Sequence, residues 1–212
     1  MRNVTRGGAV AGLVLALLAS TAAQAQETVA AVDDPRVVSA VWIERDIQLH
    51  YMGFTSYYSC DGLRGQVRNI LKELGARPGF KVTVRNCINQ TGPELSPTVR
   101  IVAAFPVEAT PEVLAELESD AAKRELVARV QGKSATEATA QFPARPKRVE
   151  FRSGGMSFLQ DGDCELMEQM RDRVFGPLGV KVVDGTIHCA PRQVSLGAIR
   201  MTVDVLEPVP AA

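Results

Sequence analysis

The chain has 212 residues, and much that would identify a function is missing from it. It holds four cysteines, two histidines, one tryptophan and three tyrosines, and its formal net charge is zero. No two cysteines stand within three residues of each other, which removes the C-x-x-C spacing that a thioredoxin-like redox site needs. His188 adjoins Cys189, yet the other cysteines have no histidine beside them, so the clustered ligands of a zinc site are absent. There is no long block of one sign. Arg145-Pro146-Lys147-Arg148 is the main basic cluster, too short a footprint to neutralise a nucleic-acid backbone. Beyond the N-terminal stretch no second long apolar run occurs, and the evenly spaced alternating strands of an outer-membrane barrel are not found.

What is present begins with the N-terminus. Arg2 and Arg6 precede an apolar run from Ala9 to Ala19, and Ala23-Gln24-Ala25 has the small-x-small pattern of a cleavage site. This predicts a secretory signal peptide over residues 1–25, followed by a mature chain whose net charge is near −2 once Arg2 and Arg6 are gone. The expected location is periplasmic or secreted. In such a compartment an even number of cysteines reads as a disulfide framework.

The strongest internal signal is self-similarity. The segment from Cys60 to Cys87 aligns with that from Cys164 to Cys189: Leu63 falls on Met167, Ile70 on Val174, and Leu74-Gly75 on Leu178-Gly179. Further on, Val99-Arg100-Ile101 meets Ile199-Arg200-Met201. A repeated pattern of this kind fixes architecture before anything else. Each copy reads as strand, helix, strand, strand. Leu63, Val67, Ile70, Leu71 and Leu74 make one apolar helix face, with Ser59 as N-cap and Gly75 as C-cap. In the second copy Asp163 is the expected cap, Met167, Met170, Val174, Phe175 and Leu178 form the stripe, and Gly176-Pro177 should end the helix early. Pairing within copies, Cys60 with Cys87 and Cys164 with Cys189, repeats one local geometry twice.

The expected fold is therefore α+β: two tandem duplicated β-α-β-β units with antiparallel sheet and one disulfide each. The first unit, with its polar leader, covers residues 26–108 and the second 148–212. Between them lies a helical insertion and linker over 109–147. Its helices should start at Thr110-Pro111 and restart near Ser119-Asp120, with Ser134 to Lys147 as the linker.

Candidate sites are few. Trp42, Tyr51, Phe54, Tyr57 and Tyr58 crowd into seventeen residues. Strands favour aromatics for packing, but rings concentrated in this way also mark recognition surfaces, and these five are the candidate binding residues. His50 and His188 do not correspond between copies, and no nucleophile or carboxylate stands at a triad spacing from either. Asp161 and Asp163 lack the further ligands of a calcium loop. Asn89-Gln90-Thr91 fits a glycosylation acceptor. No catalytic residue, metal ligand or cofactor is expected. The functional expectation is a non-catalytic binding or interaction protein of the cell envelope, with an envelope or secreted protein as partner. A small-molecule or metal carrier using the groove between repeats, or an enzyme whose site assembles from distant residues, are the alternatives.

Overall fold

The computed structural model describes residues 37–88, 92–132, 140–190, 192–193 and 198–210, apart from the side chains of 122–124 and 131. The expected signal peptide and polar leader, the 89–91 glycosylation pattern and residues 134–139 of the expected linker lie outside the described residues. Strand β1 (Val38–His50) leads to helix α1 (Cys60–Glu73), then to β2 (Lys81–Arg85) and β3 (Thr98–Glu108). Two short helices follow, α2 (Pro111–Ser119) and α3 (Ala121–Gln131). Then come β4 (Phe142–Arg152), α4 (Cys164–Met170), β5 (Lys181–His188) and β6 (Ala198–Pro208). The six strands form one antiparallel sheet in the order β2-β3-β1-β4-β6-β5. Each three-stranded half thus has its last strand in the middle, and the halves meet where β1 pairs with β4.

That junction is short. Only Val38, Ser39 and Ala40 pair with Ala144, Pro143 and Phe142. What joins the halves is the core, not this ladder. Leu49, Tyr51, Leu63, Val67, Ile70, Leu71 and Ile101 from the first half form one buried cluster with Phe151, Met167, Met170, Val174, Phe175 and Met201 from the second. Burying a side chain of this size contributes about 1.5–3 kcal/mol, so the shared core dominates the cohesion of the body.

Local chemistry explains the helices. Ser59 accepts a hydrogen bond from the Gly62 N–H, and the expected apolar stripe of α1 is buried throughout. The end of α1 is a Schellman turn: Gly75 is left-handed (φ 82°), its N–H bonds to Lys72 O, and the Ala76 N–H bonds to Leu71 O. Thr110 caps α2 on the Val113 N–H with Pro111 in the first turn, and Asp120 separates α2 from α3 as expected.

Three details differ from the sequence reading. Residues 142–147 are not linker but the start of β4; beyond Ala144 that strand has only β6 beside it, an edge-like setting that tolerates Pro146. The second helix leaves α geometry before Gly176-Pro177, passing into a π turn at Arg171–Phe175 that keeps Val174 and Phe175 in the core. Asp163 makes no cap bond to α4; it closes a 3-10 turn, Asp161–Asp163, whose first backbone N–H, that of Gln160, it accepts at 2.7 Å.

Both disulfides join a helix start to the residues just past the following strand: Cys60–Cys87, separated by 27 residues, and Cys164–Cys189, separated by 25. In the loop-entropy account each closure is worth about 3 kcal/mol.

Candidate functional site

Residues 51–58, the loop from β1 into α1, carry most of the candidate binding residues, and the second half of the chain holds them in place. Glu165, in the first turn of α4, is buried, and its Oε2 accepts from the backbone N–H groups of Phe54 at 2.9 Å, Thr55 at 3.1 Å and Ser56 at 3.4 Å. One turn on, Gln169 brackets Met52: its Oε1 accepts from the Met52 N–H at 3.1 Å and its Nε2 donates to the Met52 carbonyl at 2.8 Å. The Thr55 hydroxyl accepts from the Arg192 N–H at 2.8 Å. Where the loop passes the Cys164–Cys189 disulfide, a recess of only about 10 Å³ is left.

A second buried carboxylate ties down the end of the loop. Asp163 Oδ1 accepts from the Tyr58 hydroxyl, while Oδ2 accepts from Gln66 Nε2 at 2.8 Å as well as from Gln160. Gln66, on α1, also donates to the Phe158 carbonyl at 3.2 Å. The exchange is reciprocal: α4 holds the loop of the first half, and α1 holds that of the second. A carboxylate removed from water needs its lone pairs filled, and both are filled by neutral donors, all of Glu165's and two of Asp163's three coming from the opposite half. Burial, then the nearby carboxylates, pushes the Tyr51 and Tyr58 phenols well above the ordinary tyrosine range.

The five aromatic residues separate into three settings. Tyr51 has no exposed surface. It is a core residue that meets Tyr58 edge-on (centroids 5.3 Å apart) and donates to the Ser56 carbonyl at 2.7 Å, so its placement among surface residues is corrected. Tyr58 is half-buried and engaged with Asp163. Trp42 is half-buried on β1, stacked on Phe142 at 5.1 Å with the Arg77 guanidinium over its ring at 5.5 Å. Only Phe54 and Tyr57 face solvent, at 64% and 48% exposure, with Met52 beside them at 50%.

The histidines stay apart from this loop. The His50 ring is exposed at the end of β1, with Nδ1 3.0 Å from the Thr98 hydroxyl, which accepts from Asn86 Nδ2 at 3.0 Å. His188 is exposed at the end of β5. Among the described residues no three His, Cys, Asp or Glu side chains are grouped to hold a metal ion. Leu63, Val67, Met167 and Met170, from α1 and α4, belong to the one buried cluster.

Sequence reasoning missed Glu165, Gln169 and Gln66. Each acts across about a hundred residues of chain, Glu165 and Gln169 on backbone groups and Gln66 on the Asp163 carboxylate and the Phe158 carbonyl, and partners so distant leave no trace in side-chain spacing. The one available signal was a glutamate immediately before the buried run Leu166-Met167. Comparison with protein-family models, with curated proteins and with solved structures finds no match to the chain.

Proposed function

We propose that this is an exported, disulfide-bonded, non-catalytic interaction protein of the cell envelope, and that it meets a protein partner through Met52, Phe54 and Tyr57. The observation that carries the reading is the display of these apolar side chains to solvent on a backbone held at Met52, Phe54, Thr55 and Ser56 by two side chains of α4. Exposed rings normally cost a soluble protein in solubility, and a contiguous apolar patch marks a surface that something covers. A fixed backbone lowers the ordering cost of binding, so such a loop gains more affinity from each ring than a floppy one.

Export is supported by the charged, apolar and small-residue pattern of residues 1–25, and by the oxidation of all four cysteines. No helix among the described residues is long and apolar enough to cross a membrane. The compartment these features favour is the periplasm or the medium.

The test is a Phe54→Ala/Tyr57→Ala double variant. Both side chains lie outside the core, so the fold and its melting temperature should be kept. Capture from envelope extract, followed by calorimetry with the purified captured protein, should show affinity reduced by about tenfold or more, the usual effect of removing central aromatic anchors. Tyr58 is left alone, because its loss would disturb Asp163. Unchanged affinity in the double variant would refute the loop as the binding surface.

A further inference from the structure

The outer face of the sheet, away from the helices, is a grid of charged residues, and three ion pairs lie on it among the described residues. In the first half Arg100 binds Asp46, with Nε to Oδ1 at 2.9 Å. In the second half Arg148 binds Asp204 at 3.0 Å and Arg152 binds Glu150 at 2.6 Å. Arg200, which aligns with Arg100, stands directly opposite Arg152 in the β4–β6 register, and like charges so placed are destabilising. Glu150, opposite Thr202, holds the place that Asp46 holds opposite Val102, but it pairs with Arg152, so Arg200 is left without the partner that neutralises Arg100.

Asp184 also stands outside these ion pairs. It lies opposite Thr202 on β5–β6 and is therefore a diagonal neighbour of Arg200, yet the two make no ion pair. Neither side chain has a partner among the described residues. Both line a recess of about 160 Å³, together with Thr186, Thr202 and the Glu150–Arg152 ion pair. The floor is set by Gly185: a Cβ there would come within 2.9 Å of Met201, so the strands approach closely only because that residue is glycine. The β-bulge between Val182 and Asp184 sets where β5 places Asp184.

We infer that this recess binds a small zwitterion of the α-amino acid class, its carboxylate on Arg200 and its ammonium on Asp184. Guanidinium donors match a carboxylate two bonds at a time, and the hydroxyls of Thr186 and Thr202 flank the same space. An open carboxylate and an open guanidinium in adjoining rows suit a ligand whose opposite charges are a few bonds apart. The recess is well below the roughly 300–1,000 Å³ of pockets for drug-sized ligands, which limits the occupant to a molecule of few heavy atoms. The site is separate from the 52–57 loop and stands or falls independently of it.

The test is titration of the intact protein with glycine and L-alanine, read by amide chemical-shift changes, with acetate and methylammonium as half-ligands. Saturable shifts centred on Asp184–Thr186 and Arg200–Thr202 are expected with the amino acids. Each half-ligand should bind about tenfold or more weakly, since it loses one charged contact. Arg200→Gln and Asp184→Asn should each weaken binding to a similar degree, whereas Asp46→Asn in the first half should leave it unchanged. These residues are exposed, so the variants are expected to fold, and circular dichroism checks that they do. No saturable shift with either amino acid overturns the proposal. So does equal binding of acetate and glycine, which would reduce the site to a simple anion contact.

Discussion

Replacing Tyr58 with phenylalanine removes one oxygen and little else. The ring keeps its edge-on contact with Tyr51, so no cavity opens. What is lost is the hydroxyl donated to Asp163, a residue only 6% exposed. Hydrogen bonds to charged groups contribute about 1.5–3 kcal/mol, and stripping a donor from a buried carboxylate leaves a lone pair unfilled. Asp163 still has Gln66 at 2.8 Å and the Gln160 N–H at 2.7 Å, which keeps the cost within that range. The expected destabilisation is about 2 kcal/mol, a fall in melting temperature of about 4–8 °C for a body of this size. Urea unfolding should show a lower midpoint with unchanged slope. In a cycle with Asp163→Asn the two losses should be far from additive, because one removes the donor and the other the charged acceptor of the same bond. A Tyr58→Phe variant as stable as the parent, or one that adds fully to Asp163→Asn, would refute the claim that this bond braces the two halves.

Two further perturbations test the same region. Gly53→Ala would place its Cβ 2.1 Å from the Ser56 carbonyl oxygen and 2.8 Å from the Tyr51 hydroxyl, so the loop must shift; a loss of about 1–3 kcal/mol is expected by denaturation, and a neutral result would contradict the loop conformation. Raised Tyr51 and Tyr58 pKa values mean that the folded state holds protons the unfolded chain releases near pH 10. Their contribution is therefore fully present below about pH 10 and is lost as the pH climbs through the folded values; melting curves should fall over that range, and fall less in Tyr58→Phe.

The parts of this fold that follow local rules were legible in the sequence. The α1 stripe from Leu63 to Leu74, the Ser59 cap, the Gly75 turn and the Thr110-Pro111 start all depend on neighbours within a few residues. The disulfide pairing was legible because the repeated pattern offered one geometry for both. The strand at 142–147 was hidden by Pro143 and Pro146, which read as loop unless one knows that the strand has a neighbour on only one side over most of its length. The 51–58 loop was half legible. A density of rings announced it, but only the fold decides that Tyr51 goes inward while Phe54 and Tyr57 go outward, since the backbone there is set by Glu165 and Gln169 from the other end of the chain. The same holds for Asp163, which looked like a cap and is instead a junction for three donors.

The central claim is that carboxylates of one half hold the loop of the other. Hydrogen exchange at the Phe54, Thr55 and Ser56 amides reads it most directly, in the parent protein and in Glu165→Ala. The account predicts slow exchange at all three in the parent and a selective loss of protection in the variant, with the amides of β3 still slow. Fast exchange of the three amides in the parent, or protection that survives removal of the Glu165 carboxylate, would contradict it.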